Sequence, residues 1–203
     1  VVTDAKDIMC EGNGYSREWE IESEKRGLRA VKNVPESYEV YHEQQTLDLF
    51  AGLGVLAENE VEARFEILNE TYVKKLQIEA RIIGDMCLNH VIPAAVRYQN
   101  ILIENIKGIK EIFGNDYMQY CSSEIETLKK ISTYINNVSA DVEALVEARK
   151  KANRIESIAW RAKAYSHDVK DMMDKVRVSA DNLEMLIDDE MWPLPKYREL
   201  LFF

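Results

Sequence analysis

Glycine and proline are scarce in this chain, with eight and four copies in 203 residues. Both residues punctuate loops and strands, so their scarcity argues against a turn-rich β design and leaves room for long helices. No segment alternates apolar and polar side chains over the length of a strand. No run of about 18 uncharged apolar residues occurs, so no membrane-spanning helix is expected. The opening residues do not read as a signal peptide. Cysteine is equally sparse. Cys10, Cys87 and Cys121 are an odd number and form no C-x-x-C pair, which predicts reduced, packed thiols in a cytosolic protein. Positive charge is in deficit, with 26 Lys and Arg against 36 Asp and Glu and a net charge of −10. That balance argues against a nucleic-acid grip, which needs concentrated basic residues.

What the chain has is apolar periodicity. From Asn59 to Phe113 apolar residues recur at Val61, Phe65, Leu68, Tyr72, Leu76, Ala80, Ile83 and Met86, with His90 in the same rhythm. Steps of three and four mark one face of a helix. After Pro93 the rhythm resumes through Ala94, Tyr98, Ile101, Asn105, Ile109 and Ile112. The pattern predicts one helix, roughly 80 Å long, bent at the proline. A second stripe runs through Ile125, Leu128, Ile131, Ile135, Val138, Val142 and Leu145, and a third through Val169, Val176, Leu183 and Ile187. Three such helices joined by short loops predict an all-α fold, an elongated antiparallel helical bundle with short N-terminal helices.

Capping residues divide the chain further. Ser16 is placed to start a helix that Gly27 ends. Asn33 and Glu36 have capping-box spacing, with Pro35 in the first turn, and predict a helix to about Ala51. Asn59 with Glu62, Asp116 with Gln119 and Asn153 with Glu156 repeat the spacing. Gly114 is placed to close the long helix, and a turn is expected near residues 151 to 156. Trp192-Pro193-Leu194-Pro195 must end the last helix. The expected organisation is residues 1–54 as short helices at the tail of an upstream region, 55–192 as the long-helix bundle, and 193–203 as an apolar tail. Trp192, Leu194, Tyr197, Leu200, Leu201, Phe202 and Phe203 are too apolar for a free end. They are expected to dock on a catalytic core, on the N-terminal helices or on a neighbouring subunit; folding back on their own bundle is the alternative.

Few constellations suggest chemistry. Gly12 and Gly14 lack the third glycine and preceding strand of a phosphate loop, and read as a turn. Glu39 and His42 have the Glu-x-x-His spacing of di-metal bundles, but in one copy only; His90 and His167 have no acid three residues earlier. Arg149, Lys150, Lys151 and Arg154 form a basic cluster suited to a helix C-terminus, with anion binding the sharper alternative. The Asp188-Asp189-Glu190 run reads as a solvated face. No nucleophile stands with a base at useful spacing. No catalytic, cofactor-binding or metal residue is therefore assigned.

Three segments carry a family resemblance. Gly12-Asn13-Gly14-Tyr15-Ser16-Arg17-Glu18-Trp19 with Glu24-Lys25-Arg26-Gly27-Leu28 resembles the G-x-G-Y-S-x-x-W…E-x-R-G-L segment of type III glutamine synthetases. Ile92-Pro93-Ala94-Ala95-Val96-Arg97-Tyr98-Gln99-Asn100 resembles that family's I-P-A-A-x-x-Y-Q segment. The stretch from Asp188 to Phe202 resembles its C-terminal end. The resemblance implies the C-terminal part of a longer ligase that makes glutamine from glutamate and ammonia through a γ-glutamyl phosphate. It implies ATP and magnesium or manganese for the parent enzyme and no cofactor in this fragment, which alone is expected to be inactive. It also implies a cytoplasmic enzyme whose bundle meets an upstream catalytic domain and neighbouring subunits of a homo-oligomeric ring, with no nucleic-acid or membrane partner. The first residue, Val1, fits a piece of something larger. Some relatives carry a proline after the position of Tyr165, where this chain reads His167-Asp168-Val169-Lys170, which leaves open whether the last helix is broken. Two other readings compete: a free-standing helical interaction module, and a metal-binding bundle enzyme.

Overall fold

The computed structural model describes residues 6–10, 12–196 and 199–201. Tyr197, Phe202 and Phe203 of the apolar tail lie outside them. The described residues are all-α, with no strand among them. The chain divides into two compact units, Val1–Phe65 and Glu66–Phe203.

In the first unit, α1 (Arg17–Lys25) starts where the Ser16 hydroxyl accepts the Trp19 N–H at 3.2 Å. Gly27, at φ 73°, turns the chain out of it, a left-handed backbone that glycine adopts without strain. Helix α2 (Val34–Tyr38) is capped by Asn33, whose Oδ1 accepts the Glu36 N–H at 3.0 Å. The sequence predicts one helix from here to Ala51. Instead a 3-10 turn, Glu39–His42, follows α2, and α3 (Gln44–Gly52) begins after Glu43, whose ψ of 136° is extended. No apolar stripe crosses this break strongly enough to hold a continuous helix.

Helix α4 (Glu58–Met86) opens with Glu60 reaching back to the Ala57 N–H at 2.7 Å, rather than with the expected Asn59–Glu62 pair. It runs through a π turn, Cys87–Val91, into α5 (Ile92–Phe113). In that turn the Ile92 N–H donates to the Cys87 carbonyl, five residues back. Pro93 stands in the first turn of α5. In an uninterrupted α-helix its ring would crowd the Asn89 carbonyl, and its missing N–H would leave an acceptor unmet. The wide turn precedes that conflict and takes one extra residue. The buried face lies one position on from the predicted stripe at several places, beginning before this turn, where Val73 is buried and Tyr72 only partly so. Cys87 and Val91 are buried where Met86 and His90 were expected, and Leu102 is buried while Ile101 is 53% exposed.

Gly114, at φ 57°, ends α5 as predicted. After a 3-10 turn, α6 (Met118–Asn153) starts at Tyr117 without the expected Asp116 cap. It is about 54 Å long at 1.5 Å per residue. The turn near residue 154 is present, but its cap is Ser157, which accepts the Trp160 N–H and opens α7 (Ile158–Ala164). Helix α7 passes through a second π turn, Tyr165–Val169, into α8 (Lys170–Glu184), so the last helix is widened rather than broken.

Side-chain contacts fix the directions. Gln77 bonds Asn153, a Cβ on Gly84 would meet Val142, and Gln99 bonds Ser132. Numbers rise on α4 and α5 as they fall on α6, so these arms are antiparallel. Tyr165 to Asn153 and Ser179 to Asp141 show the same for α7–α8 against α6. The core between them holds Ile131, Val138, Leu145, Val169, Val176 and Leu183, all fully buried. Leu128 and Ile135 of the expected seam are only partly buried against that core.

Candidate functional site

The most constructed surface of the second unit is where the C-terminal segment returns onto it. Helix α8 ends at Glu184, well before the prolines at 193 and 195 that were expected to stop it, and turns from Met185 onward carry the chain off the helix axis. Trp192 is buried and Leu194 packs against the core, which puts this part of the tail back on its own bundle. Lys196 holds it there. Its Nζ donates to the carbonyls of Glu184 at 2.8 Å and Ile187 at 3.0 Å, and pairs with Asp189 at 2.5 Å. A cation is favoured at the carbonyl end of a helix, where backbone acceptors lack partners. Burial pushes the Glu184 carboxyl up, and Asp181 adds to this; the charges of Lys196 and Arg177 oppose it.

Between the returning segment, the first π turn and α8 lies a cleft of about 390 Å³. Cys87, Val91, Trp192 and Leu200 line it with Arg177 and Glu184. Its wall is largely apolar, with Arg177 and the two carboxyl groups of Asp181 and Glu184 at its edge. Burial pushes the Cys87 thiol up to about 11, so it stays protonated and is no nucleophile at neutral pH.

The residues singled out by sequence fall as follows. Gly12 and Gly14 sit in an exposed turn, beside a hollow of about 370 Å³ that Gly14, Tyr15 and Trp19 line with Lys32. Glu39 and His42 share the 3-10 turn, and His42 Nε2 pairs with Glu62 at 2.9 Å while its ring lies against Phe65. His90 and His167 are exposed within the two π turns. Among the described residues no group of three or more His, Cys, Asp or Glu could hold a metal ion. Asp188 and Asp189 shape the tail turn: Asp188 Oδ1 accepts the Glu190 N–H at 2.8 Å and Asp189 meets Lys196. Cys121 is buried, its Sγ donating to the Tyr117 carbonyl at 3.3 Å; Cys10, expected to be packed, is exposed. In the basic cluster Lys150 pairs with Glu147 at 2.7 Å, whereas Arg149 turns inward and its Nε is buried. Sequence reasoning missed Lys196, which stood unremarked in the tail; a lysine set among apolar residues is the signal.

A family described as the glutamine synthetase C-terminal domain matches residues 1–110. A glutamine synthetase of Bacteroides fragilis (strain YCH46) is 42% identical over 196 residues, covering 96% of this chain and 27% of that protein. A glutamine synthetase of Butyrivibrio fibrisolvens is 30% identical over 97% of this chain and 28% of its own length. A type-3 glutamine synthetase of Dictyostelium discoideum is 30% identical over 96% of this chain and 27% of its own length. The chain thus spans just over a quarter of the relatives it matches. Among the described residues no helix is long and apolar enough to cross a membrane. With more than half of its residues matched by that domain and nearly all of them aligned to these relatives, the chain belongs to the glutamine synthetase C-terminal domain family.

Proposed function

We propose that this chain is the helical C-terminal domain of a longer type III glutamine synthetase polypeptide, contributing structure and assembly, or regulation, rather than chemistry. The parent would join ammonia to glutamate in the cytoplasm with ATP and magnesium or manganese, its reacting groups lying in a catalytic region before this domain. The observation that carries the reading is the pattern of coverage: 96–97% of this chain aligns to 27–28% of each relative. A stabilising role fits the absence of any nucleophile–base pair in the described sites. Exposed Ile67, Ile78 and Ile82 on α4 favour contact with neighbouring subunits of a homo-oligomer over solvent exposure.

The test compares the full-length polypeptide, the 1–203 chain alone and the full-length polypeptide lacking the bundle. ATP-dependent glutamine formation is expected from the first and not from the second. Removing the bundle is expected to change oligomer size by light scattering. Glutamine synthesis by the 1–203 chain overturns the non-catalytic reading, and unchanged assembly with unchanged activity after removal overturns the structural one.

A further inference from the structure

Three pairs of polar residues, each spaced i and i+4, meet near the turn after α6: Gln77 with Arg81 on α4, Arg149 with Asn153 on α6, and Arg161 with Tyr165 on α7 and its π turn. The i,i+4 spacing puts each pair on one helix face. The Tyr165 ring is fully buried, and its hydroxyl donates to Asn153 Oδ1 at 2.7 Å. Gln77 Nε2 donates to the same oxygen at 3.3 Å. Arg161 donates to the Ile155 carbonyl at 2.8 and 2.6 Å and to the Glu156 carbonyl at 3.4 Å, which fixes the turn. Gln77 faces Asn153 across antiparallel helices, so Arg81, one turn on from Gln77, lies opposite Arg149, one turn back from Asn153. Burial pushes the Tyr165 phenol up, and Gln77 and the positive charges of Arg149, Arg81 and Arg161 act in the opposite sense.

The network uses its side-chain acceptor internally. Asn153 Oδ1 takes two donors, which leaves the Asn153 amide N–H groups for a further acceptor, beside the inward-turned Arg149 and the exposed Arg81. Among the described residues neither Arg81 nor Arg149 has a carboxylate within ion-pair distance. The neighbouring Glu147 is already paired with Lys150. Arg149 Nε has lost water to burial and gained no acceptor, a costly state for a charged donor. A cluster dominated by guanidinium donors with no carboxylate beside them suits an oxyanion, and guanidinium forks suit phosphate best.

We propose that Arg81, Arg149 and Asn153 form a binding site for a phosphate group, seated over the Tyr165 hydroxyl at the α6–α7 turn. The group comes either from free phosphate or from a nucleotide. The site lies apart from the tail cleft and does not depend on where the parent's chemistry takes place.

Hydrogen exchange of the intact polypeptide tests this, and substitutions at Arg149 and Arg81 separate this site from phosphate bound elsewhere. Inorganic phosphate is titrated against sodium chloride at equal ionic strength, and adenosine monophosphate is titrated in parallel. Saturable slowing of exchange in residues 150–169 at millimolar phosphate is expected. Arg149→Met and Arg81→Met are each expected to weaken it about tenfold or more, the usual loss for a charged hydrogen bond. Slowing at lower concentration with the nucleotide assigns the phosphate to a nucleotide; equal or weaker action assigns it to free phosphate. Slowing matched by chloride, or left intact by both substitutions, overturns the proposal. Arg81 is exposed, so its variant carries the test even if loss of Arg149 disturbs folding.

Discussion

Replacing Lys196 by methionine isolates the clasp that holds the C-terminal segment. Methionine keeps an unbranched apolar stem and removes the ammonium. The side chain of Lys196 is only 13% exposed, so its two bonds to the Glu184 and Ile187 carbonyls are made largely out of water. Hydrogen bonds with one charged partner contribute roughly 1.5–3 kcal/mol each. Desolvating the ammonium offsets part of that. The Asp189 carboxylate is 40% exposed, and its ion pair adds at most about 1 kcal/mol. The net loss is about 2–3 kcal/mol, confined to the end of α8 and the residues it holds. Native-state hydrogen exchange reads this directly at the amides of Ile187, Met191 and Trp192, which are bonded within the clasp. About 2 kcal/mol corresponds to roughly 30-fold faster exchange. The effect should shrink in acid. The folded-state pKa of Glu184 is raised, so its contribution favours folding below the ordinary carboxylate pKa and is lost as pH rises through the raised value. Lys196 opposes that loss, and the wild-type advantage should therefore be larger at pH 7 than near pH 4. Exchange within twofold of wild type, or a difference that grows in acid, would refute the electrostatic account of the clasp.

Leu183→Ala should cost about 2–5 kcal/mol, since the side chain is fully buried, whereas Leu128→Ala, only partly buried, should cost about half as much by urea titration. Cys10 is exposed and should react promptly with a chromogenic disulfide at pH 8. Cys87 and Cys121 should stay silent until denaturant is added, with Cys87 further protected by a pKa near 11. Gly114→Ala should lose about 1–3 kcal/mol in thermal unfolding through its backbone conformation alone, because an added Cβ there meets nothing within 4 Å.

Sequence legibility followed the range of the interactions concerned. The caps at Ser16 and Asn33 and the glycine stops at Gly27 and Gly114 were legible because a side chain or a φ angle within one turn decides them. Asn153 misled for the opposite reason: its side chain is engaged by Tyr165 and Gln77 from other helices, so Ser157 is left to cap α7. The slip from Met86 to Cys87 on the buried face was hidden because apolar residues occupy both positions, and only the hydrogen-bond pattern distinguishes them. Of the tail, apolarity foretold that Trp192 would be covered, but not what would cover it. The facing of Arg81 and Arg149 could not be read from the chain, since it depends on the register of α4 against α6.

The first π turn ties two sequence features into a single inheritance. Buried residues on this arm keep a seven-residue cadence through Val73, Ala80 and Cys87. They keep it again through Ala95 and Leu102, with one step of eight between Cys87 and Ala95. The extra residue is what the wide turn consumes, and the wide turn is what admits Pro93. Deleting one residue restores the cadence but drives the proline ring against an α-helical carbonyl. Replacing the proline alone leaves the surplus residue in the π turn, which still absorbs it. The deletion is therefore tolerated only where the proline has been replaced first.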